Sequence, residues 1–403
     1  MTVLSHRIRL YPNDVQATYF ARACGIRRFA YNWALDHSWR LYEEGIRTSG
    51  FDLVKRFNAV KAEEFPWTAE VSKWAPQKAI QDAWDALRNW WSGRARRPRF
   101  KKRGKCRESF YIGLDQVSTE GKKIRIPKLG WVRMAQELRF PGEVKSATVS
   151  RDGDRWFASV QVEIDETRWS YPHACETQEA CGVDVGVRDL VVLDTGERVA
   201  APRELRRRER KLGRLQRVLA RKTRGSGGWR KAKARLQEAH RKVRDARKDV
   251  THRITADLVR RFRWIGTEDL NVRGMMRNHR LAKSIADAAF GEIRRQLDYK
   301  SALAGGYVVR AGRWFPSSKT CSVCGYVLGS LPLYIREWAC PGCGVAHDRD
   351  QNAAENLKIV ARRQRDTENA GDGMAVRPPG IRRDLGAAER PEASTCQPMA
   401  AAG

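Results

Sequence analysis

The sequence predicts a multidomain α+β protein, and three observations predict it. At 403 residues the chain is longer than one simple hydrophobic core usually serves. Its hydrophobic pattern changes along the chain, from a helical block to short alternating strands to strands mixed with helices. Near the end stand two Cys-x-x-Cys pairs, the mark of a small metal-bound module. Hydrophobic residues make up 41%, enough for several cores.

Charge comes next. Lys and Arg number 78 against 47 Asp and Glu, a formal excess of +31. Such an excess costs self-repulsion unless a polyanion neutralises it, and nucleic acid is the obvious polyanion. No stretch approaches the roughly 18 apolar residues of a membrane span, and no basic anchor helix stands out, so no membrane partner is expected. The start, MTVLSHRIRLYPND, lacks the apolar run of a signal peptide. The nine cysteines are therefore expected in a reducing cytoplasm, where paired thiols favour metal over disulfide. Cys24, Cys106, Cys175, Cys181 and Cys396 read as ordinary thiols.

Residues 3–11 partly alternate and predict a strand, which Pro12, Asn13 and Asp14 break; Asn13 or Asp14 can cap the helix that follows. That helix runs to a stop at Gly45. Ile80, Trp84, Leu87 and Trp91 recur at helical spacing, a stripe whose plain reading is core packing. Residues 93–107, GRARRPRFKKRGKCR, predict a loop, and nine of the fourteen residues 94–107 are Lys or Arg. Phe100 punctuates this run, which favours contact with a nucleic-acid backbone over a merely solvated face. Residues 108–164 read as short strands of a barrel or sandwich, with a hairpin turn at Asp152, Gly153 and Asp154. Residues 181–199 read as a strand pair turning at Asp194, Thr195 and Gly196. Residues 201–250 hold 20 Lys and Arg against five acids. Gly225, Gly227 and Gly228 interrupt them, predicting a basic helical hairpin. A strand over 261–272, one helix through SIADAAFGEIRRQLDYKSAL and a strand at GYVVRAG follow. The residues beyond 362 lack periodicity and predict disorder.

Cys321-x-x-Cys324 and Cys340-x-x-Cys343 lie fifteen residues apart. Four thiolates at that spacing close a tetrahedron around Zn²⁺ with no open position, so the site is expected to be structural. The glycine after each pair, Gly325 and Gly344, suits the tight turn. Asp184 sits in the apolar strand GVDVGV, where a charge is costly unless paired or metal-bound. Glu268 ends another apolar strand, between Thr267 and Asp269. Asp350 opens a helix, where an N-cap is the plain alternative, and Asp348 competes with it. Singly each acid reads as structural. Together they are hard oxygen donors from separate elements of one α/β region, a set that suits Mg²⁺. Two such ions can activate water and stabilise the leaving oxygen in phosphodiester cleavage.

GVDVGVRDL, IGTEDLNVRGM, NHRLAKSIADAAFGEIRRQLDYKSA, WFPSSKTCSVCG and HDRDQNAAENL occur in that order. With RIRLYPNDVQ, RRFAYNWAL and RARRPRFKKRGK they make the chain resemble the TnpB family over about residues 5–360. TnpB proteins are transposon-encoded relatives of type V CRISPR effector nucleases. The resemblance implies a split RNase H-like (RuvC) α/β nuclease domain with an inserted zinc ribbon, a helical recognition domain and a β-barrel wedge domain. The boundaries it implies are a first wedge strand at 1–15, recognition at 16–100 and wedge at 101–172. RuvC motifs I and II follow at 173–316, with the basic hairpin and a lid-like NVRGMMRNHRLAKS. The ribbon is placed at 317–346, the motif III helix at 347–362 and a disordered tail at 363–403. The family's third acid precedes x-Asn-Ala-Ala, which selects Asp350 over Asp348. Asp184, Glu268 and Asp350 are thus the expected catalytic, Mg²⁺-holding set.

The implied partners are a guide RNA from the transposon end and double-stranded target DNA, met in a prokaryotic cytoplasm near the nucleoid. A short flanking DNA motif would be read by protein and the target by base pairing. Gln77 and Gln81 lie one turn apart, with Lys78 adjacent, and can read base edges; a solvated helix face is the alternative. Arg94, Arg96, Arg97, Lys101 and Lys102 are the expected backbone contacts. The implied activity is Mg²⁺-dependent, RNA-guided DNA cleavage. Its rivals are a guide-directed DNA binder or repressor, a transposase or transposition accessory protein, and a zinc-ribbon RNA-binding protein.

Overall fold

The computed structural model describes residues 2–164, 177, 179–201, 203–279 and 281–369. Strand β1 (Thr2–Tyr11) buries Leu4, His6, Ile8 and Leu10, the alternation expected of a strand with one face inward. Helix α1 (Asp14–Glu43) starts at Asn13, whose Oδ1 accepts from the Gln16 amide at 2.8 Å. The Gln16 side chain returns to the Asn13 amide, so Asn13, not Asp14, is the cap. Helices α2 (Gly50–Val60) and α3 (Trp74–Trp91) pack against α1 around Leu35, Leu53, Phe57, Ile80 and Leu87. The expected stripe holds for Ile80 and Leu87, but Trp84 is only half-buried and Trp91 is 50% exposed.

The second layer contains β1 and strands β2 (Ser109–Gly113), β3 (Ser118–Glu120), β4 (Lys123–Ile126), β5 (Gly130–Met134), β6 (Glu143–Asp152) and β7 (Arg155–Ile164). They form a seven-stranded sheet in the order β2-β6-β7-β1-β5-β4-β3. The expected β-barrel is not closed. The edges β2 and β3 are consecutive in the chain, so residues 114–117 carry one directly to the other, yet no ladder joins them. Much of that link is a short 3-10 turn, and the three residues of β3 pair with β4 alone. Phe20, Ala23 and Ile26 of α1 and Ala75 of α3 cover the sheet's apolar face instead.

The third layer begins with β8 (Ala180–Asp184), β9 (Asp189–Leu193) and β10 (Arg198–Ala200). The basic hairpin follows as α4 (Glu204–Ala220) and α5 (Gly227–Arg261), then β11 (Trp264–Glu268) and the short α6 (Val272–Met275). The single helix expected next is two, α7 (Ala282–Ala288) and α8 (Phe290–Leu303), because Ala289 takes a left-handed φ of +55°. The break lets Ile285 and Ala288 on one side and Phe290, Ile293 and Leu297 on the other enter the same core. Strand β12 (Tyr307–Ala311), the small hairpin β13 (Glu337–Ala339) and β14 (Ala346–Asp348), and α9 (Arg349–Asn369) complete the order. Helix α9 runs through residues 363–369, expected to be disordered; the rest of the expected tail, with Cys396, lies outside the described residues, as does Cys175.

Five strands pair in the order β10-β9-β8-β11-β12. β8 is antiparallel to β9 and parallel to β11, which is parallel to β12. The face bearing Cys181, Val183 and Ile265 shares a core with α5, α7 and α8. On the other face lies α9, and there Gly182 and Gly266 are register partners in adjacent strands. A Cβ on Gly182 would sit 1.7 Å from the Ala354 carbonyl oxygen, and one on Gly266 would sit 2.1 Å from that of Leu357. The helix thus meets the sheet backbone to backbone. Asp194, in the turn after β9, braces this contact by accepting from the Gly182 amide at 3.0 Å and pairing with Lys358 of α9.

Gly182→Ala and Gly266→Ala should each lower stability by about 3 kcal/mol, the upper end for overpacking, seen as a lower thermal midpoint. Gly213→Ala is the control. Gly213 has open space around it within α4, so a new methyl there should be neutral or stabilising.

Candidate active site and metal centre

In a strand, residues two apart share a face. Gly182 and Asp184 therefore both face α9, as do Gly266 and Glu268. Adjacent strands lie about 4.8 Å apart, so Asp184 and Glu268 end β8 and β11 side by side. The glycine contact draws the first turn of α9, with Asp350, toward those strand ends. The grouping is electrostatically real. Burial, then the charges of Glu268 and Asp350, push the Asp184 carboxyl up to about 8. The nearby negative charges disfavour the ionised form of Asp184.

Asp348 and Asp350 play different parts. Asp348 Oδ1 accepts from the amides of Asp350 at 3.1 Å and Gln351 at 2.9 Å, so Asp348 caps α9. Against the effect of burial, the Gln351 amide and Arg198 hold its carboxyl below the usual range. Asp350 is freed of capping and instead meets Nη1 of Arg336 at 3.0 and 3.2 Å. Glu268 accepts from the Ser317 hydroxyl. With these partners in place the three acids stand as neighbours, not as a tight ligand set. Among the described residues only the four cysteines bring their donor atoms within 4.8 Å of one another.

Those cysteines build two matching knuckles. The Gly325 amide donates to the Cys321 carbonyl at 2.9 Å, and the Gly344 amide to the Cys340 carbonyl at 2.8 Å. Both glycines are left-handed, with φ of +80° and +75°, as the sequence led us to expect. The Cys321 and Cys343 sulfurs are 3.7 Å apart, and those of Cys324 and Cys340 3.5 Å. Tetrahedral Zn²⁺ with bonds of about 2.3 Å needs sulfurs about 3.8 Å apart, so the donor set fits zinc. His347 places Nε2 3.1 Å from the Cys321 sulfur and leans on Trp338. Although burial raises the Cys321 thiol, the Cys324 and Val323 amides and His347 bring it down to about 6, favouring the thiolate that a metal takes.

The ribbon is fastened to α9 by buried amides. Asn352 and Asn356 each donate Nδ2 to the Thr320 carbonyl at 2.7 Å, and Asn352 Oδ1 accepts from the Ser322 amide at 3.0 Å. Beside the acids lies a cavity of about 740 Å³ lined by Arg188, Arg203, Arg206, Lys283 and Arg336. Its cations suit a polyanion.

The expected nucleic-acid contacts divide. Arg96 and Lys102 are exposed. Arg94 donates to Ser92, and Arg97 lies over the Trp39 and Trp90 rings. Lys101 is packed over the Tyr31 ring, and burial with Arg27 nearby lowers its amine to about 8. On α3, Gln77 is half-buried, Lys78 pairs with Asp82, and Gln81 packs against Gly50 of α2. Sequence reasoning missed Asp194, Ser317, Arg336, His347, Asn352 and Asn356. The G-x-acid pattern shared by GVD and GTE was the one visible signal for the helix-to-sheet contact; the others depend on pairings only the fold creates.

Fold and site together define a basic, nucleic-acid-handling protein with an acid cluster braced by a four-thiol ribbon. Residues 159–279 match the IS605 OrfB family, described as "Probable transposase". Residues 290–357 match "Cas12f1-like, TNB domain", and 1–47 the OrfB helix-turn-helix domain. In this chain the described part of that segment holds β1 and one unbroken helix, α1. A Streptomyces pristinaespiralis protein named "Putative RNA-guided DNA endonuclease" is 37% identical over 360 residues, 87% of each chain. The similarly named InsQ of Escherichia coli K12 is 30% identical, covering 87% of this chain and 90% of its own. In fold, the chain is similar to Cas12f1 in a complex with single guide RNA and target DNA, with TM-score 0.52, 14% identity and coverage of 86% and 83%. The chain belongs to the TnpB family.

Two outcomes follow from this geometry. The raised Asp184 value means that the metal-free fold keeps a proton which the unfolded chain releases near pH 4, so stability falls as pH rises from about 4 to about 8. Asp184→Asn removes that loss; its thermal midpoint should exceed the parent's clearly at pH 8 and little at pH 4.5. Cys321→Ser should lose zinc, read by elemental analysis, and should loosen the ribbon, read as faster proteolysis near residues 317–346.

Proposed function

We propose that this protein is an RNA-guided DNA endonuclease hydrolysing phosphodiester bonds at Asp184, Glu268 and Asp350. The observation that carries the reading is the grouping of these carboxylates where α9 crosses the ends of β8 and β11, with the charges of Glu268 and Asp350 helping to push Asp184 up to about 8. A site that raises a carboxyl so far is suited to exchanging its proton for a divalent cation. The order β10-β9-β8-β11-β12, with α9 on one face and α5 and α8 on the other, supports a RuvC-type assignment. The relatives' shared name supports the guided activity.

The residues would divide the work as follows. Asp184, Glu268 and Asp350 would hold the ions, with Ser317 fixing Glu268 through one oxygen and Arg336 yielding Asp350. Two Mg²⁺ held there would supply an activated water and charge stabilisation at the leaving oxygen. Arg188, Arg203, Arg206 and Lys283 line the cavity beside the site and would hold the phosphates of the strand to be cut. The four-thiol ribbon takes zinc structurally and keeps α9 in place. The guide is read as a transcript of the transposon end. The layer of helices α1 to α3 and the seven-stranded sheet serve as recognition and wedge elements, and the exposed Arg96 and Lys102 as backbone contacts. Gln77 and Lys78 remain the proposed readers of a flanking motif, with Gln81 holding α2.

The test is cleavage of a plasmid matched to a supplied guide, in Mg²⁺, against a mismatched plasmid. The parent should cut only the matched plasmid, and Asp184→Ala should reduce cutting to the mismatched background. If Asp184→Ala cuts like the parent, the assignment is wrong. Guide-dependent binding by the parent without any cutting would favour a repressor.

A further inference from the structure

We infer that Ser317 is a positioning residue that sets Glu268 from the zinc-ribbon side of the site; this rests on reading Glu268 as a metal-holding acid. Ser317 lies between β12 and the first knuckle and is 3% exposed. Its hydroxyl donates to Glu268 Oε1. Its carbonyl accepts from Asn356 Nδ2 at 2.8 Å and from Asn352 Nδ2 at 3.4 Å, both on α9. The same two amides reach the Thr320 carbonyl, one residue before Cys321. One small residue thus ties together the strand bearing the second acid, the helix bearing the third and the entry to the thiol knuckle.

The surroundings of Glu268 make the hydroxyl matter. Its neighbour Asp269 is held by Arg294 and Arg313 at 2.9 and 3.0 Å. Glu268 has no such cation among the described residues, and Ser317 is its side-chain donor. A neutral donor on one oxygen fixes the rotamer while leaving charge and lone pairs for an incoming ion. An Arg there would fill the site. Hydrogen-bond partners of metal-ligating carboxylates are worth about 10–100-fold in affinity or activity. The arrangement also means that zinc reaches two of the acids: Asp350 through α9, and Glu268 through Ser317.

The experiment compares full-length parent, Ser317→Ala, Ser317→Thr and Glu268→Gln. Binding of Mn²⁺ alone is followed by titration calorimetry, with zinc content, thermal midpoint and guided cleavage rate in parallel. Ser317→Ala should weaken Mn²⁺ binding and slow cleavage about 10-fold with zinc content unchanged, and Ser317→Thr, which keeps the hydroxyl, should restore both. Unchanged Mn²⁺ affinity in Ser317→Ala, with a parent site that Glu268→Gln abolishes, overturns this inference alone. A parent Mn²⁺ site that Glu268→Gln leaves intact overturns the reading of the acid and this inference with it. Loss of zinc and thermal stability in both Ser317 variants assigns the residue a purely structural role, which also overturns it.

Discussion

The third layer depends on one contact, the backbone of α9 lying on the backbones of β8 and β11 where Gly182 and Gly266 pair. Side chains normally hold a helix away from a sheet. Two missing Cβ atoms in adjacent strands remove that spacer over one helical turn. The helix settles into the gap, and its first turn is carried to the strand ends. Everything nearby then fixes the helix along and about its axis. Lys358 and Asp194 pin its middle, Asn352 and Asn356 tie it to the ribbon, and Asp348 caps its start. A carboxylate at its second residue has little freedom left.

This contact explains how an acidic site survives in a chain of +31. Most acids near the centre are already paired. Asp269 is held by Arg294 and Arg313, Asp189 and Asp348 by Arg198, and Asp287 by Arg247. Asp184 and Glu268, at the ends of their strands, have no ion pair among the described residues, although the charge of Arg349 on α9 reaches Asp184. Positive charge is instead gathered along the adjoining cavity. The charge pattern therefore sets a cation-lined cavity a few residues from the acid cluster.

Much of this could be read from residue types and spacing. Spacing alone implied the thiol tetrahedron, because four sulfurs and two glycines are local geometry. The basic hairpin was also legible, and the cap of α1 was narrowed to Asn13 or Asp14. What could not be read depends on contacts between distant segments. The seven-stranded sheet stays open between β2 and β3, and short strands, with almost no periodic signal, do not announce whether such edges pair. The break at Ala289 follows from two helices sharing one core, against a locally strong helical pattern. Lys101 and Gln81 look like surface groups in sequence, yet Tyr31 and Gly50 meet them across the fold. Polar residues such as Ser317 gain meaning only from what faces them.

The ribbon's placement in the chain has a further consequence. It enters after β12 and returns through β14 directly into α9, so its two ends are held by the parts it must align. The ribbon also supplies Arg336, which pairs with Asp350. This partner can be displaced. A single nitrogen, Nη1, reaches both carboxylate oxygens, and the Arg336 side chain is 44% exposed, so the two-nitrogen fork that makes Arg–carboxylate pairs strong is not formed. Half-exposed pairs of this kind contribute about 0–1 kcal/mol, far less than a divalent ion shared by three carboxylates would. Under the proposed function, Arg336 balances the charge of Asp350 and would yield its place to a cation. It already lines the cavity whose other cations would face the incoming phosphates. One guanidinium would then serve the acid before metal binds and the polyanion afterwards, without any change of fold.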